Sequence, residues 1–133
     1  MLKGKAKKAE PPRGDETLRQ SIAEIAAESW RYELALNKVL KRLDVMDAER
    51  FSRQYSYFAA RVERAVAAAG LRVLDLAGQP YSVGLPVQAM NLEDFDEDEP
   101  LIVTQTIEPV IMADGRVLKT GMVMLDRAQQ AEE

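Results

Sequence analysis

Carboxylates are the most concentrated chemistry in this sequence. The run Glu93-Asp94-Phe95-Asp96-Glu97-Asp98-Glu99 is acidic at every position but one, and alternating Asp residues raise the possibility of a calcium loop. An EF-hand loop also needs a central glycine and a closing bidentate glutamate. This run has no glycine, and Gln105 stands where the glutamate should be. A solvated acidic loop is therefore the expectation. The chain has no histidine and no cysteine. That removes the commonest general base, the Ser-His and Cys-His pairs, the usual zinc ligands and any disulfide framework. Gly78 and Gly84 lack the Lys and Ser/Thr pattern of a phosphate loop. No catalytic residue, metal site or cofactor is expected, and the chain reads as a binding or regulatory protein and not as an enzyme.

Charge points the same way. With 18 Lys and Arg against 22 Asp and Glu, the net charge is −4, which argues against a nucleic-acid partner, whose phosphates need a concentrated basic face. No apolar run approaches the ~20 residues that cross a bilayer. The start, Met1 to Lys8, is basic but has no apolar stretch after it, unlike a secretory signal. The expectation is a cytoplasmic protein without membrane contact. Residues 1–14 are rich in Lys, Pro and Gly and read as a disordered basic tail.

The element that must organise the chain runs from Leu18 to Met46. Apolar or near-apolar residues recur there at steps of four and three, a repeat of about 3.5 residues that marks helices packed along a seam. Ile22, Ser29, Leu36 and Leu43 take the a positions; Leu18, Ile25, Tyr32, Val39 and Met46 take the d positions. A helix about 45 Å long cannot bury such a seam against itself. It needs a partner helix, from the same chain or a second copy. Ala26, Ala35 and Leu40 widen the stripe toward a bundle. A second stripe through Ala23, Ala27, Trp30 and Leu34 predicts packing on another helix of the assembly, or else a partner-binding patch at Trp30 and Leu34.

Asp15 reads as the N-cap of this helix, with Glu16 in its first turn. A new apolar series, Phe51, Tyr55, Phe58, Val62, Ala65 and Ala69, is offset from the first. It implies a second helix capped by Asp47 and stopped by Gly70. Residues 44–47 form either a turn or a phase slip; a turn would fold the second helix back into a bundle. Beyond Gly70 the helical period disappears. Leu71 to Leu74 and Val83 to Met90 support short strands around a Gly- and Pro-punctuated loop. Leu101 to Met112 and Arg116 to Leu125 read as long strands joined at Asp114-Gly115, a type I′ hairpin signal. Pro109 marks an edge or a bulge, and Gly121 a bulge or a close backbone approach.

From Val62 to Leu125 the order of features resembles the GrpE family, the nucleotide exchange factors of bacterial Hsp70 chaperones. The motifs are Ala69-Gly70-Leu71-Arg72-Val73-Leu74-Asp75, Gly78-Gln79-Pro80-Tyr81, and the hairpin Asp114-Gly115-Arg116-Val117-Leu118-Lys119 followed by Met122-Val123. The chain departs from the family pattern at Pro86-Val87-Gln88-Ala89, which has no histidine, and at Glu108-Pro109-Val110.

The resemblance implies a homodimer whose β domain binds the nucleotide-binding domain of an Hsp70-type ATPase and favours its open cleft. The motif-matched contact positions are Tyr81, Ile107, Arg116 and Leu125. The alternative is an adaptor that keeps this scaffold without exchange activity. The expected fold is α+β. A helical dimerisation region spans 15–70, held by Leu18, Ile22, Ile25, Tyr32, Leu36, Val39 and Leu43. A small all-β domain spans 71–126, and 127–133 form a flexible tail.

Overall fold

The computed structural model describes residues 13–128. The expected tails fall outside the described residues over 1–12 and 129–133. The fold is α+β. Helix α1 spans Arg13–Leu40 and helix α2 spans Val45–Ala68. Strands follow: β1 (Leu71–Leu74), β2 (Val87–Ala89), β3 (Leu101–Glu108), β4 (Val110–Ala113), β5 (Arg116–Lys119) and β6 (Gly121–Arg127). A 3-10 turn at Leu92–Asp94 separates β2 from β3.

α1 begins two residues before Asp15, so Asp15 and Glu16 both lie in the first turn, where their charge suits the positive helix end, and Asp15 is not the cap. The break between the helices is a turn at residues 41–44. Leu43 therefore lies in the turn, and Met46 lies in the first turn of α2, 81% exposed. Neither extends the α1 seam. The cap of α2 is Asp44 and not Asp47. Asp44 has extended backbone, which a cap requires, and its Oδ1 accepts the Asp47 N–H at 2.8 Å. Asp47 already has helical neighbours and receives the cap. The far end of α2 stops at Gly70, whose φ of +79° a side chain would strain.

The expected hairpin forms at Asp114-Gly115, both with positive φ (54° and 76°). Its two long arms do not stay in one sheet. β4 pairs with β5 in a sheet of order β1-β4-β5, whereas β3 pairs with β6 in a sheet of order β2-β6-β3. The crossing point is Pro109 opposite Gly121. Pro109 is buried and interrupts the first arm between β3 and β4. A Cβ on Gly121 would lie 2.8 Å from the Glu108 carbonyl oxygen, so only glycine lets the backbones pass. The close approach expected at Gly121 is what the structure contains. β2 runs parallel to β6, a pairing that required a long connection around the molecule.

Two apolar cores result. In the first, Ala23, Ala26 and Val66 of the helices pack on Leu71, Ile111 and Ala113 of the β1-β4-β5 sheet. In the second, Leu101, Val103, Val123 and Leu125 close over Tyr81, Val87, Ala89 and Phe95. The stripe Ala23-Ala27-Trp30-Leu34 thus faces the β region, where another helix was expected. The Trp30 indole N–H donates to the Thr106 carbonyl oxygen at 2.8 Å. That bond satisfies a buried polar group on each side of the joint. β6 continues through Arg127, so the strand reaches one residue into the segment expected to be a tail.

Candidate protein-interaction site

The hairpin tip is fixed from below. Arg19 on α1 donates from Nη1 to Asp114 Oδ2 at 2.8 Å. The hydrogen bond and charge of Asp114 raise the Arg19 pKa above its ordinary value. Arg116 stands exposed beside this pair. A shallow polar cleft of about 220 Å³ lies between them, lined by Glu16, Arg19, Asp114, Arg116 and Val117. The Arg116 guanidinium takes part in no ion pair among the described residues, so its planar donor fork is open to a carboxylate.

The other positions implied by the resemblance do not join Arg116. Tyr81 packs half-buried on the second core, and its backbone N–H donates to the Leu101 carbonyl at 2.9 Å. Ile107 is half-buried on β3. Leu125 is a core residue at 3% exposure. Its N–H and C=O are both taken by the side-chain amide of Asn91, at 3.0 Å each. Its side chain has no surface to give a partner, which corrects that expectation. Alternation along β6 sends it inward with Val123. Trp30 is half-buried at the joint with the β region and Leu34 is half-buried on α1, so neither forms an open patch.

One anchor of the site was missed in the sequence. Glu108 is buried at the crossing point of the two sheets. Arg31 of α1 reaches its Oε2 at 3.0 Å, and Lys119 Nζ of β5 lies 3.7 Å from its Oε1. One carboxylate thus ties the long helix to both sheets and sets how the hairpin stands on α1. The signal was a Glu immediately before Pro109, in an arm with apolar residues on both sides of that pair (Ile107 and Val110). The acidic loop is anchored by a related device. Glu99 accepts from the Asp96 N–H at 2.9 Å and from Arg127 Nε at 2.6 Å. Those two bonds lower its pKa, and Arg127 also lies over the Phe95 ring at 5.2 Å. Among the described residues no group of three acidic side chains is placed to hold a metal ion.

A second surface opens between the helices. The a positions Ile22, Ser29 and Leu36 turn toward α2 and are half-buried, whereas Leu18, Ile25, Tyr32 and Val39 remain exposed. Tyr55 of α2 donates its hydroxyl to the Ser29 carbonyl at 2.9 Å, with its oxygen 3.4 Å from Ser29 Oγ. Burial raises the Tyr55 pKa above the ordinary phenol value. Tyr32, Tyr55 and Phe58 pack as tilted rings with centroids 6.3 and 5.8 Å apart. They floor an apolar groove of about 610 Å³ that also takes in Ile25, Leu36 and Phe51. Leu43, expected on this seam, is half-buried in the interhelix turn.

No family model matches the chain, and neither the curated proteins nor the solved structures contain a significant match. Among the described residues no helix is long and apolar enough to cross a membrane.

Proposed function

We propose that this protein is a GrpE-like cochaperone, a cytoplasmic homodimer that binds an Hsp70-type ATPase and promotes ADP release without catalysis of its own. The observation that carries the reading is the hairpin Asp114-Gly115-Arg116. It resembles the family's hairpin pattern at Asp114-Gly115-Arg116-Val117-Leu118, and its arginine is exposed on a turn held by the Arg19–Asp114 pair. In this mechanism Arg116 pairs with a carboxylate of the ATPase domain that is reachable only when the nucleotide cleft is open. Binding then shifts the equilibrium toward the open state by the difference in affinity between the two states, and ADP leaves faster. The apolar groove between α1 and α2 joins two copies, with Leu18, Ile25, Tyr32 and Val39 at the interface.

A second reading is favoured by the burial of Leu125. One of the positions implied as a contact is part of the core, so the scaffold could serve as an adaptor whose smaller binding surface captures a partner without opening it. The release rate of a fluorescent ADP analogue from an Hsp70-type ATPase separates the two. The expected result is an acceleration by this protein that the Arg116→Glu variant loses while keeping its helical content and thermal transition. Binding of the ATPase without acceleration selects the adaptor. Acceleration that survives Arg116→Glu removes that residue from the site.

A further inference from the structure

The net charge of −4 conceals how charge is distributed on α2. Arg50, Arg53, Tyr57, Arg61 and Arg64 recur along this helix at steps of three, four, four and three. At 3.6 residues per turn, those steps gather the side chains within an arc of about 80°. The carboxylates of the same helix, Asp47, Glu49 and Glu63, fall outside that arc. Every position of the stripe is exposed. From Arg50 to Arg64 it covers 14 residue steps (64 − 50), or about 21 Å. Overall charge argues against a polyanionic partner only where no face concentrates cations, and this face does.

The stripe is not neutralised from within the chain. Among the described residues only Arg50 meets a carboxylate, that of Asp47 at 3.2 Å; Arg53, Arg61 and Arg64 take part in no ion pair. Like charges three residues apart repel on a helix surface. Arg50 with Arg53, and Arg61 with Arg64, are such pairs, and an anionic occupant relieves the repulsion.

The centre of the stripe is aromatic. Tyr57 is 65% exposed. Arg61 lies over its ring at 4.9 Å and donates to its hydroxyl at 2.8 Å, which holds the ring at the surface. Beside it an open depression of about 610 Å³ is lined by Arg50, Arg53, Gln54, Ser56 and Tyr57, all on α2. Arginines alone fit any polyanion, and an acidic peptide has no need of the ring. A nucleic-acid strand offers both phosphates for the arginines and bases that stack on an aromatic side chain. A duplex fits less well. Its bases are stacked on one another, and α2 lies against α1, so the pair is about 20 Å broad, wider than a major groove of about 12 Å.

We infer that the Arg50–Arg64 stripe of α2 binds single-stranded nucleic acid, with the four arginines on phosphates and Tyr57 stacked on an unpaired base. The site uses none of the residues that present Arg116, so it gives the protein a second kind of partner.

The test is the fluorescence anisotropy of a labelled single-stranded DNA of about 12 nucleotides, titrated with the full chain at several salt concentrations. Four phosphate contacts give log affinity against log salt a slope of about −2.8 (−0.7 × 4), a loss of about fiftyfold between about 50 and 200 mM salt. Arg53→Glu with Arg64→Glu removes two contacts and reduces the slope to about −1.4, with helical content unchanged by circular dichroism. Tyr57→Ala weakens binding about tenfold and leaves the slope as it was. Absence of binding at low salt overturns the inference, and so does binding that Arg53→Glu with Arg64→Glu leaves unchanged. A duplex of the same length that binds as tightly overturns the preference for a single strand. Displacement of the strand by polyglutamate at equal charge, with no effect of Tyr57→Ala, overturns nucleic acid in favour of an acidic protein segment.

Discussion

Ala23 and Ala27 on one face of α1 are 0% and 2% exposed, while Ile25 and Tyr32 on another face of the same helix are each 59% exposed. The small side chains are inside and the large ones are out. The difference reflects what each face meets. The alanine face lies against the β1-β4-β5 sheet and the crossing of the two sheets. Small side chains let the helix come close enough for Trp30 to reach the Thr106 carbonyl and Arg31 to reach Glu108. The large-residue face meets only part of α2, and α2 leaves Phe51 and Phe58 partly exposed beside it. Leaving such side chains in water forgoes about 1.5–3 kcal/mol each, a cost that a second copy would recover. Burial on the first face makes the fold; exposure on the second supports an assembly.

The comparison can be broken most forcefully from the alanine side. Ala23→Leu inserts a branched side chain where the helix, Val66 and Ile111 already fill the space. It should cost about 1–3 kcal/mol of stability in urea unfolding. A neutral effect would mean that α1 does not sit tightly on the sheet. Trp30→Phe keeps most of the apolar contact but leaves the Thr106 carbonyl without its donor, at an expected cost of about 1–2 kcal/mol. On the exposed face the ordering reverses. Ile25→Glu should change the stability of the isolated chain by less than about 0.5 kcal/mol, yet abolish self-association in sedimentation. A dimer that survives it would move the interface elsewhere.

The smallest effect touches neither face. The folded pKa of Glu99 is depressed, so the anchoring of the acidic loop is fully present above the ordinary glutamate pKa and is lost as the pH falls through the lower folded value. Amide-exchange protection at Asp96, normalised for the intrinsic exchange rate, should fall across that acidic window. Protection independent of pH there would separate the loop from the Glu99 carboxylate.

Much of the architecture was legible in the residues. Helical period, the offset between the two apolar series and Gly70 specify two helices and where the second stops. Asp114-Gly115 specifies the turn because few other pairs tolerate two positive φ values. Gly121 pointed to a bulge or a close backbone approach, and the close approach is present. The exposed Arg116 was legible as well, since it follows from the turn. These features are local, and each depends on neighbours within a few positions.

What the sequence left undetermined is non-local. Periodicity shows that α1 has two apolar faces, but it does not say which one meets the strands; the alanines could equally have faced a helix. Residue types alone point to Asp47 as the cap of the second helix, and only the extended backbone observed at Asp44 moves the cap to that residue. Alternation places Leu125 on one face of a strand, while burial depends on the second core closing over it. The arms of the Asp114-Gly115 hairpin read as two continuous strands. Their division between two sheets, and the union of Arg31, Lys119 and Glu108 across it, arise because strand pairing is settled by partners dozens of residues away. The sequence by itself determined the helices, the turn and the outward arginine. Tertiary structure decided which apolar face was spent on folding and which was left free, because burial depends on the neighbour a face finds as well as on the residues it carries.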